Sequence, residues 1–525
     1  MQTRTPVPLS TRLLSVLVAS FLPLVASADT SADASEGKSG DTLVVAFEKP
    51  LTTVDRLYSI QREGLILSRL TDDGLFYVNP DTLEFEPLAA ESYRWVNSTQ
   101  LEVTVRDDVV FHDGSPMTAD DVVYTFEWVL DEDSDTSRGA VIQSWLESVE
   151  KVGNRTVRFN LHLPYPMALR DMAISIPVRK KGTYDGAEGM DNAAEDRPLN
   201  GIGPYRIKEF SAGREIVVER FEDYYQASPK ANPAIETMVF RVIPDQGTQQ
   251  AELLSGGIDM MMGVPPDVAD NISHLPGVVR REGNDIRIGY ITLDAAGHSN
   301  PDSPFTKLKV RQAINHAINR EEITRYLVRG SAEVVPYACH PRQFGCNSDG
   351  PTYPYNPEKA KQLLEEAGYP DGFSFKLWAY REKIIAEAVV SDLKAIGLDV
   401  DLRFVKLNVF AKVRNDKDME AFFASYGSGG TADASASTGV HFAANSARNY
   451  TDDKELAETV LAAERTIDPD ERKRLYNKAL TRIAEQAYWV PMFSYSQNYL
   501  LSPGLEFEVP KDGVPRFWQA SWSDK

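Results

Sequence analysis

Residues Leu101 to Leu130, LEVTVRDDVVFHDGSPMTADDVVYTFEWVL, change periodicity twice in one short stretch. Leu101, Val103 and Val105 alternate with polar residues, the period-two pattern of a strand with one buried face. Asp113-Gly114-Ser115-Pro116 is a turn cluster, in which Gly is free to take positive φ and Pro fixes its own φ. Thr118 then reads as a helix N-cap with Asp121 as its reciprocal partner. Val122, Val123, Phe126, Val129 and Leu130 follow at helical spacing. Strand, tight turn and amphipathic helix in direct succession point to a mixed α/β chain.

The run Val109-Val110-Phe111-His112-Asp113-Gly114-Ser115-Pro116-Met117-Thr118-Ala119-Asp120-Asp121-Val122 resembles the pattern of the extracellular solute-binding proteins of family 5, the peptide-type binding proteins of ABC importers. Other phrases are similar to that family too. They include Pro87 to Trp95, Gly201-Ile202-Gly203-Pro204-Tyr205, Asp223-Tyr224-Tyr225 and Gly256-Gly257-Ile258-Asp259. Pro304 to Ile323 matches as well, with Asn319 where the family usually has Asp; both residues cap helices well. The likeness runs over roughly residues 43 to 500. It implies an α/β fold of the type II (cluster C) periplasmic binding proteins, with two lobes, an inserted subdomain and a cleft between the lobes. The implied parts are residues 42–84, 202–300 and 492–525 for the first lobe, 85–201 for the insert and 301–491 for the second lobe. Gly201 and Gly203 are expected to allow close backbone approach and to mark a hinge.

Bulk composition agrees with more than one lobe. The chain has 525 residues, too many for one compact core, and 42% hydrophobic with 25% charged residues is ordinary for a globular protein. A formal charge of −21 argues against nucleic acid and anionic membrane surfaces as partners. Arg4 and Arg12, the apolar Leu13 to Val25 and Ala26-Ser27-Ala28 form a secretory signal over residues 1–28. No Cys stands at the cleavage point, so a lipid anchor is not expected and the mature protein is placed free in the periplasm. Residues 29–41 read as a disordered leader. Cys339 and Cys346 are the only cysteines, and an oxidising compartment favours a disulfide between them across a Pro-rich surface loop. The acidic run Asp131 to Asp135 reads as a solvated loop.

Further elements are written locally. Asn154 marks the turn of a strand pair, and Gln246 to Leu254 is a helix. Asn356, Pro357 and Gly368 bracket another helix, Lys383 to Ile396 is a third, and Asp468 caps a fourth at Pro469. Strands are expected at Leu43 to Phe47, Phe373 to Trp378 and Val400 to Phe404, with a final return beginning at Val490.

No catalytic constellation emerges. None of the histidines has metal-ligand spacing, and His112 reads as a structural residue of its turn. Ser428 lies in Tyr426-Gly427-Ser428-Gly429-Gly430, which is not a nucleophile elbow. No enzyme activity, metal or cofactor is therefore expected. A binding protein instead places liganding groups on loops at strand ends. Those positions hold Glu48 and Tyr58; Trp378, Tyr380 and Arg381; Tyr426, Ser428, Gly429 and Asp433; and Tyr495. Aromatic faces would pack cargo and Arg381 would pair an anion. Core or solvated roles stay open for Trp378, Arg381 and Glu48. The resemblance gives Asp433 a role toward a peptide's ammonium, although the family's acid stands earlier in the loop. Expected partners are a small-molecule or short-peptide ligand and an inner-membrane ABC permease, with the receptor a monomer.

Overall fold

The computed structural model describes residues 41–186, 199–427 and 430–523. The signal segment, and the leader except for Asp41, lie outside these residues, as do Ser428 and Gly429.

A single ten-stranded sheet spans the molecule. In spatial order it runs Asp399–Phe404, Ser374–Ala379, Ala421–Tyr426, Val279–Leu293, Trp489–Leu501, Met260–Met261, Thr42–Phe47, Thr237–Val242, Glu215–Arg220 and Tyr205–Ser211. Its two middle members are long antiparallel strands that pass from one half of the sheet to the other. Near Val279 they pair Val279 with Leu501, and Leu501 also pairs Met260 of the first half. Near Leu293 they pair Thr292 with Trp489, while Leu293 pairs Ala421 of the second half. Between Asn284↔Ser496 and Ile288↔Ser494 the register shifts, so residues 285–287 face Tyr495 alone. Such a bulge bends and twists a ribbon locally.

A four-stranded antiparallel sheet, Ala90–Asn97, Gln100–Val105, Thr156–Leu161 and Leu146–Lys151, carries the strand-turn-helix stretch. The helix Ala119–Leu130 starts where its cap is written. Thr118 N–H and Oγ1 meet Asp121 Oδ2 at 2.8 and 2.7 Å. Val122, Phe126 and Val129 are fully buried against this sheet, each contributing about 1.5–3 kcal/mol of apolar burial. The four-stranded sheet has no core of its own. Phe111, Phe126 and Phe159 belong to the same cluster as Leu43, Phe47, Phe240 and Phe517 of the first half. The second half has separate clusters, one around Phe305, Leu377 and Phe493 and one around Tyr290, Phe422 and Tyr476.

Gly201 and Gly203 do provide close approach, but not at the crossing between halves. A Cβ on Gly201 would stand 2.1 Å from Thr71 O and one on Gly203 2.4 Å from Leu70 O. They let the return segment lie on the end of the helix Arg62–Thr71, and His112 Nε2 meets Gly203 O at 3.0 Å from the turn above. The residues that cross between the halves are those of Val279–Leu293 and Trp489–Leu501.

Candidate ligand-binding cleft

The two halves meet at the loop after Ala421–Tyr426. By chain this loop belongs to the second half, yet Ala432 packs in the first-half core. Thr431 Oγ1 accepts from Arg170 Nε at 3.1 Å. The loop is held from behind. Gln343 Nε2 donates to Thr431 O at 2.8 Å, Phe344 N–H to Ala432 O at 2.9 Å, and Ala434 N–H to Phe344 O at 2.9 Å. Gln343 and Phe344 lie inside the disulfide loop Cys339–Cys346. Cys339 is fully buried and Cys346 nearly so. The bridge is therefore packed into the second half and braces the seam, rather than stiffening a surface loop.

Arg381, Tyr380, Tyr426 and Tyr495 converge near the bulge of the crossing strands. Arg381 Nε donates to Glu382 Oε1 at 2.5 Å and its Nη1 to Ser425 Oγ at 2.7 Å. Its guanidinium lies 5.4 Å over the Tyr495 ring and 6.0 Å from that of Tyr380. Arg287, inside the bulge, also donates to Ser425 Oγ, at 3.3 Å. Burial raises the Glu382 carboxyl pKa against the opposing pull of Arg381. Tyr426 meets His441 edge-on at 4.9 Å, with the Arg448 guanidinium 5.7 Å above its ring. Burial drives His441 down to about 3, so it is neutral. Its ring nitrogens meet Ser437 O at 2.9 Å and Tyr290 Oη at 3.0 Å. Trp378 leans on the core around Phe410 and Phe422.

The remaining expected residues are placed differently. Glu48 is exposed and makes no hydrogen bond or ion pair among the described residues. Tyr58 is buried; its hydroxyl donates to Ser134 O and accepts from Trp128 Nε1, both at 3.0 Å. It ties the first half to the four-stranded part. Asp433 is 2% exposed, with Oδ2 2.8 Å from Arg472 Nη1 and Oδ1 2.9 Å from Arg472 Nη2. Both oxygens of the carboxylate to which the resemblance assigns a peptide's ammonium are thus engaged by Arg472.

Sequence reasoning missed several charged groups at the seam. Arg56 and Arg138 stand on the first-half side with Arg170, and Glu464 on the second. Burial, then repulsion from Arg138, Arg170 and Arg69, brings Arg56 down to about 9. Burial is likewise the main cause that lifts Glu464 to about 7, with Arg472 opposing and Asp433 adding to the rise. Arg56 opens the one-turn helix Arg56–Tyr58 behind its cap Asp55, and Glu464 ends the helix Lys454–Glu464; both look solvated in sequence. A pocket of about 570 Å³ also opens within the second half, between Asn315, Arg320, Tyr353 and Trp489. None of the expected ligand residues lines it. Among the described residues no cluster of His, Cys, Asp and Glu is placed to hold a metal.

Two halves joined by a pair of long strands, with aromatic and guanidinium groups gathered where they meet, form a two-lobed architecture with a candidate ligand cleft between the lobes. The chain belongs to the bacterial extracellular solute-binding proteins, family 5, whose family model matches residues 84–449. It is 30% identical over 441 residues to the oligopeptide-binding protein AppA of Bacillus subtilis, covering 77% of each chain. Heme-binding protein A of Haemophilus influenzae is 27% identical over 478 residues, 84% of this chain and 85% of that one. In structure it is similar to the ABC transporter substrate-binding protein CtaP of Listeria monocytogenes, with TM-score 0.80, 21% identity, and 92% and 99% of the two chains covered. Its role is that of the family: a solute receptor of an ABC importer. Family members are periplasmic or extracellular, and among the described residues no helix is long and apolar enough to cross a membrane.

Proposed function

We propose that the chain is a monomeric periplasmic receptor that captures a short peptide by closing its two lobes and delivers it to an inner-membrane permease. It acts without catalysis, metal or cofactor. In this reading the first lobe comprises 42–84, 202–284 and 496–523, the insert 85–201, and the second lobe 288–494. We put the lobe limits at the bulge, where the register of the two crossing strands shifts and Val279–Leu293 begins, at Ile288, to pair with Ala421–Tyr426.

The observation that carries the reading is the bond from Arg170 to Thr431, a contact between the two halves beside the aromatic groups. Cargo that gains contacts only when the halves meet shifts the population toward the closed form. The relative named an oligopeptide-binding protein supports a peptide. The engagement of Asp433 by Arg472 favours, as a second reading, a non-peptide cargo such as an opine, a glycoside or a metal chelate. Native mass spectrometry of freshly purified protein identifies what it carries. Small-angle scattering with and without that cargo measures closure. Scattering that is unchanged at saturating cargo rejects the closing mechanism, and conversion of the cargo to a product rejects the receptor role.

A further inference from the structure

We propose that Arg56, Arg138 and Arg170 form an anion subsite on the first-lobe wall of the cleft, receiving a carboxylate of a net-negative cargo. This rests on the reading that cargo lies between the lobes. Arg56 is 2% exposed, its side chain donates only to Ser59 O, and its Nε has no partner. Arg138 Nε is buried and unpartnered, and Arg138 makes no ion pair among the described residues. Arg170 bonds Asp171 at 2.7 Å and reaches across to Thr431. Asp171 is thus the one carboxylate bonded to this trio among the described residues.

Three nearby acids are committed elsewhere. Asp55 and Asp72 hold Arg179, and Asp512 holds Arg69 and Arg516. Arg448, on the opposite wall, has no ion pair among the described residues, and Tyr426 feels both Arg448 and Arg170. Cations therefore face the seam from both sides of a protein whose net charge is −21. Composition does not produce this accumulation. Guanidinium groups drawn from water without counter-charge cost free energy that a planar carboxylate, bonded in their fork geometry, returns.

The test incubates cargo-stripped protein with a mixture of random tri- to pentapeptides plus glutarate and reads the retained ligands by native mass spectrometry. Retained species should be net negative, bound about tenfold or more tightly than neutral ones of equal length. Peptides among them place the carboxylate on a peptide, whereas retained glutarate places it on a free di-acid. Arg138→Gln, and separately Arg170→Gln, should abolish the charge preference. Arg94→Gln, at a side chain 72% exposed on the outer sheet, should keep it. Two variants guard against misfolding of either. Retention of neutral or basic peptides as readily as acidic ones overturns the subsite and leaves the receptor reading standing. Retention of nothing overturns both.

Discussion

Arg472 grips both oxygens of Asp433, at 2.8 and 2.9 Å, inside the second lobe. The same carboxylate accepts from Ser435 N–H at 2.9 Å and so shapes the loop that meets the first lobe. Asp433→Asn removes one partner of a buried pair and should cost roughly 3–5 kcal/mol of stability, read by urea denaturation. The affinity of the folded protein for the cargo it is purified with should fall by well under tenfold. Unchanged stability with a tenfold loss of affinity would return Asp433 to the cleft.

Glu464 sets a pH dependence. Its carboxyl is lifted from an ordinary 4.5 to about 7, so the folded state holds the proton more tightly than the unfolded chain. The stability this contributes is complete below pH 4.5 and is lost as pH rises through 7. Glu464→Gln should flatten the stability difference across that window, gaining on the order of 3 kcal/mol over the parent above pH 7. Chemical denaturation at pH 5 and pH 8 gives both points, and parallel shifts of parent and variant would refute the assignment.

Arg381 is positioned by Glu382, Ser425 and the Tyr495 ring. A double-mutant cycle of Arg381→Ala and Glu382→Gln should show coupling of about 1 kcal/mol or more. Cargo affinity should fall in both single variants and fall no further in the double one. Additive losses would mean that the two side chains act separately.

The disulfide closes a short loop, and its removal in Cys339→Ser with Cys346→Ser should cost about 2–3 kcal/mol from chain entropy. Because Gln343 and Phe344 in that loop brace residues 431–434, cargo affinity should weaken as well. Thermal melts with and without reductant, alongside calorimetric titration, separate the two effects. The serine variant should not respond to reductant.

Local chemistry was legible in the sequence where it is self-contained. Thr118 with Asp121, Asn356 with Pro357 and Asp468 with Pro469 cap helices as written, and Asn319 caps too, its own N–H going to Asp392. The long strand Val279–Leu293 was not legible, because Arg280, Arg281, Asp285 and Arg287 break its alternation on both sides of the bulge. The convergence of Arg381, Tyr380 and Tyr426 followed from strand-end positions, whereas Tyr495 lies within the strand Trp489–Leu501, opposite the bulge. Glu48 and Tyr58 sit on an equivalent strand end but face solvent and core, a difference set by packing. Arg56, Arg138 and Glu464 resemble any solvated charge until tertiary contacts remove their water.

The bulge between Asn284 and Ile288 holds Arg287 and stands against Tyr495, and in the proposed reading both belong to the cleft. Compliance and selectivity therefore share one set of residues. A substitution that stiffens this joint also changes what the receptor prefers to hold, so capture rate and cargo choice cannot be tuned independently at this point in the chain.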